Sequence, residues 1–438
     1  MGWAGTGGRV LPRTTPGVHL GAQEDQEMRM KRTTALLVVV AAAVLAVLAG
    51  SIKSAVAAGP TITIWADQDR KAAVLQLATQ WATARGATAN VVVHDFGKIR
   101  DDLGTVAAAD APDVIMAAHD WTGQLAANGL VQPIILSAAT KKLFPAYTTN
   151  AFSYGTAVKK LYGVPTQIEN IGLVVNTGKV KVPTTFKQLE AEALAFKKKA
   201  SGNLGIAVQQ GANGDAYHMY PFFSGLGGYV FGVNKAGNLD ASDIGVASKA
   251  LLKNASLVDK WNKEGLINSK VDSSTAQNAF LKGQAAFWIT GPWNSDTLKK
   301  SGLKFKIIQM PKIAFPSVPF LGVQGFMVTK YASTHGVESL AQDFVANYMS
   351  SAAAQTALAN VAGRWPANLS AGKGFSDPVL AQFGIAAKGG VPMPNIPQMG
   401  SVWTDLGQAW VRSTKGAGAS KAASSFKAAS RAIADKIG

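Results

Sequence analysis

Cysteine is absent from all 438 residues. That excludes disulfides, thiolate catalysis, cysteine-type zinc sites and a lipid carried on an N-terminal cysteine. The usual catalytic signatures are missing too: there is no Ser/His/Asp spacing, H-E-x-x-H, Walker loop or dinucleotide fingerprint. Gly225, Gly227, Gly228 and Gly232 form a glycine-rich run, but no lysine follows as a phosphate loop requires, so the run reads as a helix stop. His94, His119 and His218 stand in no catalytic arrangement. Acidic residues are scarce, 26 against 43 Lys and Arg, for a formal charge of +17. Residues 1–57 hold six basic and three acidic residues, so the chain beyond them keeps +14. A basic balance can serve nucleic acid or an anionic membrane surface. Here the lysines are scattered, apart from Lys197-Lys198-Lys199, which reads as a soluble basic surface without a nucleic-acid partner.

What is present is a globular chain, 47% hydrophobic and 16% charged, long enough for two domains. Residues 1–27 show no periodicity. Arg29, Lys31 and Arg32 then precede an unbroken apolar run over 35–49, and Ala55-Val56-Ala57 offers a small-residue cleavage site. This is the pattern of a secretory signal peptide over about residues 28–57. An uncleaved anchor is the rival, because no charge interrupts residues 33–52. Serine at position 51 stands where a lipoprotein signal needs cysteine. On either reading the body of the protein is exported.

From residue 61 strand-like and helical patterns alternate. Residues 61–65 are β-rich; 70–85 carry a helical stripe of Val74, Leu75, Leu77, Ala78 and Trp81; 90–94 are strand-like; 99–109 are helical; 114–116 form a buried strand. This order implies a mostly parallel sheet with helices on both faces. A second α/β region follows, with strand-like runs at 163–165 and 171–175 flanking Glu169, and Thr185 with Gln188 opening a helix by a capping box. Near the C-terminus, Phe426, Ala429, Ile433 and Ile437 recur at helical spacing and predict a packed amphipathic helix.

Aromatics and carboxylates cluster in the loops between these elements. The clusters are Trp65 with Asp67, Asp69 and Arg70; residues 112–121, holding Asp113, His119, Asp120 and Trp121; Glu169 alone in an apolar stretch; Asp215 with Tyr217 and His218; Thr290-Gly291-Pro292-Trp293; and residues 391–403, with Met393 and Trp403. Sugars stack their C–H faces on aromatic rings and donate hydroxyls to carboxylates, so a sugar site interleaves Trp and Tyr with Asp, Glu and Arg. Each cluster also has a plain structural reading. Asp67 or Asp69 can cap a helix, a lone tryptophan can be core, and Glu169 can sit in an internal salt bridge. In residues 391–403, Pro392, Pro394 and Pro397 exclude a helix and a central strand. The segment is extended and rigid, so little ordering entropy is lost when it binds.

The motif M-P-N-I-P-Q-M followed by Trp403 closely resembles the matching segment of the maltose/maltodextrin-binding proteins, the sugar-capturing components of ABC importers. P-D-V-I with H-D, G-V-P with Glu169, L-G-G-Y, A-F-L-K-G-Q-A-A and T-G-P-W occur in that family's order from about residue 61 to 410. The resemblance implies a two-lobe α/β periplasmic-binding fold with a hinge (type II, maltose-binding-protein-like). It divides the chain into an N-terminal extension and signal peptide (1–57), an N-lobe (58–168 and 321–368) and a C-lobe (169–320 and 369–438). It also implies that Asp67, Asp69, Arg70, Asp120, Glu169 and Asp215 bond sugar hydroxyls. Tyr217, Trp293 and Trp403 would stack on sugar rings, and Met393 would touch the groove's end. The chain departs from the best-known member at Ala117, which replaces a tryptophan, and at Trp121, His218 and Ser273; Trp121 is read as a ligand-binding aromatic moved from position 117. The implied protein is a monomer without cofactor or metal. It delivers a maltodextrin-type oligosaccharide to membrane permease subunits driven by a separate ATPase. Two alternatives remain: a glycoside-active enzyme using Glu169 and Asp120, and a membrane-anchored sugar sensor.

Overall fold

The structure is a computed structural model describing residues 59–155 and 158–438. The extension, the signal-peptide reading and its anchor rival lie outside those residues. Eleven strands build the two principal sheets among the described residues. In chain order they are β1 (Thr61–Ala66), β2 (Thr88–Val93), β3 (Val114–Ala118), β4 (Val164–Asn170), β5 (Gly172–Asn176), β6 (Ala207–Val208), β7 (Phe287–Thr290), β8 (Phe305–Ile308), β9 (Phe320–Val328), β10 (Trp365–Pro366) and β11 (Val391–Pro392).

The first sheet runs β10-β4-β9-β3-β1-β2, with β11 beside β9. Strands β2, β1 and β3 are parallel, joined through helices α1 (Lys71–Thr83) and α2 (Phe96–Thr105). The expectation of a mostly parallel sheet holds for these three and for the short β11, which runs parallel to β9, but not for the rest of the sheet. Strand β9 lies antiparallel to both β3 and β4, and β10 antiparallel to β4. The reason is the route of the chain. A parallel neighbour needs a long crossover, usually a helix, whereas β9 arrives through residues 309–319, which contain no helix. The second sheet, β8-β5-β7-β6, is also mixed. Glu169 proves to lie inside β4, not between two strands. That strand is paired on both sides and buried on both faces, so it lacks the alternation that reveals a half-exposed strand.

Each sheet is sandwiched between two apolar layers, which makes a two-lobe α/β fold. On β3, Val114 and Met116 join Ile62, Trp81, Phe326 and Phe344 on one face, while Ile115 joins Ile99, Leu125 and Phe152 on the other. In the second lobe, Leu173 and Val175 face Phe222, Trp261 and Phe287, while Val174 faces Phe280, Trp288 and Phe383. The chain passes between the sheets at Ile171, between β8 and β9, and again after β10. Short helix α3 (Thr122–Ala127) follows β3. Helix α4 (Phe186–Lys198) carries the predicted capping box between Thr185 and Gln188. Later come α5 (Ala352–Ala362), α6 (Val402–Thr414) and α7 (Ala422–Ile437). Among the described residues no helix is long and apolar enough to cross a membrane.

The C-terminal periodicity becomes α7, with Phe426, Ala429 and Ile433 buried against the second core. Phe426 packs edge-on against Trp410 of α6 at 5.1 Å between ring centroids. Phe426→Ala therefore leaves a cavity under a fully buried aromatic and should cost about 3–5 kcal/mol of stability in urea denaturation.

Candidate functional site

Strand C-termini of both sheets open onto one cleft of about 720 Å³. This is where open α/β sheets present loops to ligands. From the first lobe the turn after β1 supplies Asp67, Asp69 and Arg70, and the turn after β3 supplies Asp120 and Trp121. Asp215, Tyr217 and His218 follow β6, Trp293 follows β7, Met393 follows β11, and Trp403 lies in the first turn of α6. Glu169, on β4, completes the lining. The eleven residues expected to bind ligand thus line one cleft together with His218, whereas Trp65, Asp113 and His119 of the same clusters do not.

Their surroundings separate them. Asp67 and Arg70 are buried and paired, with Arg70 Nε donating to Asp67 Oδ2 at 2.6 Å and the Arg70 guanidinium lying 4.6 Å from the Phe96 ring centroid. Burial pushes the Asp67 carboxyl upward, but the Arg70 charge and hydrogen bonds outweigh it and hold Asp67 below its usual range. Asp67 Oδ1 also accepts the Arg70 backbone N–H at 3.1 Å and closes the turn before α1; the helix itself has no side-chain cap, so the capping expected of Asp67 or Asp69 is not found, Asp67 being taken up by the turn and by Arg70. Asp69 is exposed to the cleft. Asp113, in the same cluster as Asp120, is structural: it accepts the Thr63 N–H at 2.7 Å and bonds His335 Nδ1 at 2.7 Å. Trp121 packs on Phe96 at 4.8 Å between centroids and lines the cleft while largely buried. Ala117 is fully buried, and Ala118 takes its place on the cleft wall.

Glu169 finds the internal partners that its apolar setting demands. Arg364 Nε donates to Oε2, and Gln324 Nε2 donates to Oε1 at 2.7 Å. Arg364, Gln324 and Phe96 line the cleft but escaped the sequence reading. Gln324 lies mid-strand and gives no signal. Arg364 does give one, because it is the lone charge between Leu358 and Pro366, the same isolation that marked Glu169.

On the opposite wall Asp215 Oδ1 accepts the His218 N–H, and Oδ2 accepts from Gln209 Nε2 at 2.7 Å and His218 Nδ1 at 2.8 Å. Burial alone would raise Asp215; His218 and these donors lower it below the usual carboxylate range. Tyr217 Oη and His218 Nε2 are buried without a protein hydrogen-bond partner. Such groups carry a desolvation cost until something in the cleft satisfies them. Trp293 packs near Tyr217 and His218, and Trp403 lies edge-on to Phe320.

The segment after β11 is extended only from Met393 to Ile396; Pro397–Ser401 form a 3-10 helix leading into α6, so the exclusion of helix from 391–403 fails in its second half, because a proline in the first turn of a helix gives up no bonded N–H. The extended part is fastened to the first lobe. Buried His119 accepts the Val323 N–H at Nδ1 and so donates Nε2–H to the Met393 carbonyl, at 3.1 and 3.0 Å. Burial lowers its pKa to about 4, which keeps this neutral tautomer in place. Asn395 Nδ2 reaches the carbonyls of Asn150, Ala151 and Ser153. A Cβ at Gly123 of α3 would lie 2.4 Å from the Asn395 carbonyl, so only glycine lets this segment lie flat on the helix.

Asp120, 4% exposed, accepts the Trp403 indole N–H at 3.1 Å. Burial raises its pKa to about 6 from the model-peptide 3.8, against the lowering pull of Arg100 and Trp403. Because the folded value is the higher one, Asp120 stabilises the fold fully below pH 4 and loses that contribution as pH rises toward about 6. Wild type should therefore become less stable than Asp120→Asn between those pH values, by roughly 2–3 kcal/mol at neutral pH. Denaturation of both proteins from pH 4 to 7 reads the difference; curves that stay parallel throughout would refute the elevated value.

Comparison with known proteins converges on one family. Residues 76–382 match the family described as bacterial extracellular solute-binding protein. The chain is 27% identical over 366 residues to a galactooligosaccharide-binding protein of Bacillus subtilis, covering 79% of this chain and 82% of the relative. It is 30% identical over 319 residues to the maltodextrin-binding protein MdxE of the same organism, covering 68% and 71%. A maltooligosaccharide ABC transporter solute-binding lipoprotein of Streptococcus pneumoniae is 26% identical over 353 residues, covering 78% and 81%.

Proposed function

The chain belongs to the family of bacterial extracellular solute-binding proteins, and on that footing we propose that it captures a maltodextrin-type oligosaccharide between its two lobes. It is the solute-binding component of a sugar ABC importer, not an enzyme, which implies membrane permease subunits as partners and a place of work outside the cytoplasm. The pneumococcal relative is by name a lipoprotein; these 438 residues contain no cysteine that could carry such a lipid.

The observation that carries the proposal is the convergence of two tryptophans, a tyrosine and carboxylates from both lobes on one cleft. In this reading Trp293 and Trp403 stack on sugar rings. Asp69, Asp120 and Asp215 accept hydroxyls, Tyr217 Oη and His218 Nε2 find their partners in the ligand, and Met393 borders the groove's end. Asp67, Arg70 and Glu169 face the ligand from within their ion pairs, and Trp121 supplies the aromatic ring that Ala117 lacks. The lobes are residues 58–168 with 321–368, and 169–320 with 369–438. A ligand touching both favours the closed arrangement by its differential affinity. The captured sugar passes to the permease and its separate ATPase, with the binding protein acting as a monomer.

Glu169 is held by Arg364 and Gln324, so the carboxylate pair of a glycosidase is not available, consistent with the family. A galacto-oligosaccharide is the second reading. It is favoured by the changed wall at Ala117 and Trp121 and by the galactooligosaccharide-binding relative.

Calorimetry on residues 58–438 with maltose, maltotriose, a longer maltodextrin, a cyclodextrin and β-galacto-oligosaccharides ranks the ligands, and analysis of the recovered sugars checks that they stay intact. Saturable one-to-one binding of an α-glucan is the expected result. Binding of the galacto-series alone would move the assignment, and shortened sugars would overturn it. Trp293→Ala and Trp403→Ala should each lose about 1–3 kcal/mol of binding while the protein stays folded; unchanged affinity in both would remove them as platforms.

A further inference from the structure

We propose that Arg364 is a positioning residue of the cleft: it holds the Glu169 carboxylate and one face of the Trp293 indole, and so leaves a sugar ring only the opposite face of that platform. This rests on the capture reading above.

Arg364 reaches the cleft from a turn that docks on the other lobe. Gly363 ends α5 in the left-handed conformation, with φ +61°. A Cβ there would lie 2.5 Å from Ser295 Oγ and 3.0 Å from the Pro292 carbonyl. Those residues flank Trp293, which packs against the second core, whereas α5 belongs to the first. Glycine is thus required twice, for its φ and for the closeness of the two turns. The next residue then points its side chain between the lobes.

The Arg364 side chain, 7% exposed, makes three contacts there. Nε donates to Glu169 Oε2, Nη1 donates to the Ala362 carbonyl at 3.1 Å, and Cζ lies over the Trp293 ring, 5.5 Å from its centroid. Burial works against the charge, but Glu169, followed by Asp67 and Asp69, raises its pKa and keeps the proton in place. A flat guanidinium can bond a carboxylate along its edge and lie against an aromatic face at once; a lysine ammonium cannot do both. The face of Trp293 that meets the cation is closed to sugar C–H groups, so stacking is one-sided and its register relative to Glu169 is set by one residue.

The test uses Arg364→Lys, Arg364→Met, Trp293→Ala and the Arg364/Trp293 double replacements, titrated with the tightest sugar of the panel. Both Arg364 variants should weaken binding by about ten- to thirtyfold. In the Trp293→Ala background the same replacements should cost at least about threefold less than in wild type, since part of their effect passes through Trp293 and only the part through Glu169 remains. Losses that multiply, or an Arg364→Lys protein that binds like wild type, overturn the proposal. Should Arg364→Met not fold, the lysine variant carries the same comparison. A second measurement needs no sugar. In protein labelled with 5-fluorotryptophan, the fluorine resonance missing from Trp293→Phe identifies Trp293. It should move in Arg364→Lys, and an unmoved resonance overturns the proposal. If the resonance moves but wild type binds no sugar of the panel, the capture reading fails and the placement of Trp293 by Arg364 stands.

Discussion

A carboxylate buried at the point where the chain leaves one sheet for the other sets the terms for the whole cleft. Glu169 is 6% exposed, and a charge so placed must be compensated within hydrogen-bonding distance or be neutralised. The compensation is relayed through four more side chains. Arg364 and Gln324 hold Glu169, Arg70 approaches Gln324 Oε1 at 3.4 Å, and Asp67 neutralises Arg70. These residues come from β1's end, from β4, from β9 and from the turn before β10. The ionic network therefore pins together the strands that form the floor between the lobes. Loss of one member would leave an uncompensated charge, so the network supplies fixed geometry more than net stability.

A second constraint acts at the opposite rim. The proline-rich stretch after β11 is irregular from Met393 to Ile396 and then coils into a 3-10 helix, Pro397–Ser401, and its course is set by its anchors. His119 grips the Met393 carbonyl, Asn395 caps the 150–153 turn, and Gly123 permits the close approach. This delivers Trp403 to Asp120, across the cleft from the core in which α6 is rooted. Each of the two tryptophans proposed as platforms is therefore engaged by a charged residue of the other lobe, Trp403 by Asp120 and Trp293 by Arg364. A ligand that binds between them meets rings already held in place, so less ordering is lost on binding.

Much of the cleft could be read from the chain because sugar chemistry restricts the residue types that serve it. Trp65 to Arg70, Asp120 with Trp121, and Asp215 with Tyr217 stood out as acids beside aromatics at strand ends, and strand ends are where this class of sheet presents its loops. The roles within each cluster were less legible. Nothing local distinguishes Asp113, spent on Thr63 and His335, from Asp120, which faces the cleft. Trp65 looked like a candidate platform but is buried, stacked on His94 at 3.7 Å.

Periodicity, punctuation and residue chemistry along the chain determined the alternating α/β elements, the capped helix at Thr185, the packed C-terminal helix and the candidate residues, because each depends on neighbours only a few positions away. Tertiary structure alone decided that β9 runs antiparallel between β3 and β4, that Glu169 belongs to Arg364, and that Trp403 answers to Asp120. Those partners lie 195 and 283 residues apart. Pairing over such distances is chosen by burial and by the need to satisfy every buried charge and donor, conditions that exist only once the sheets have assembled.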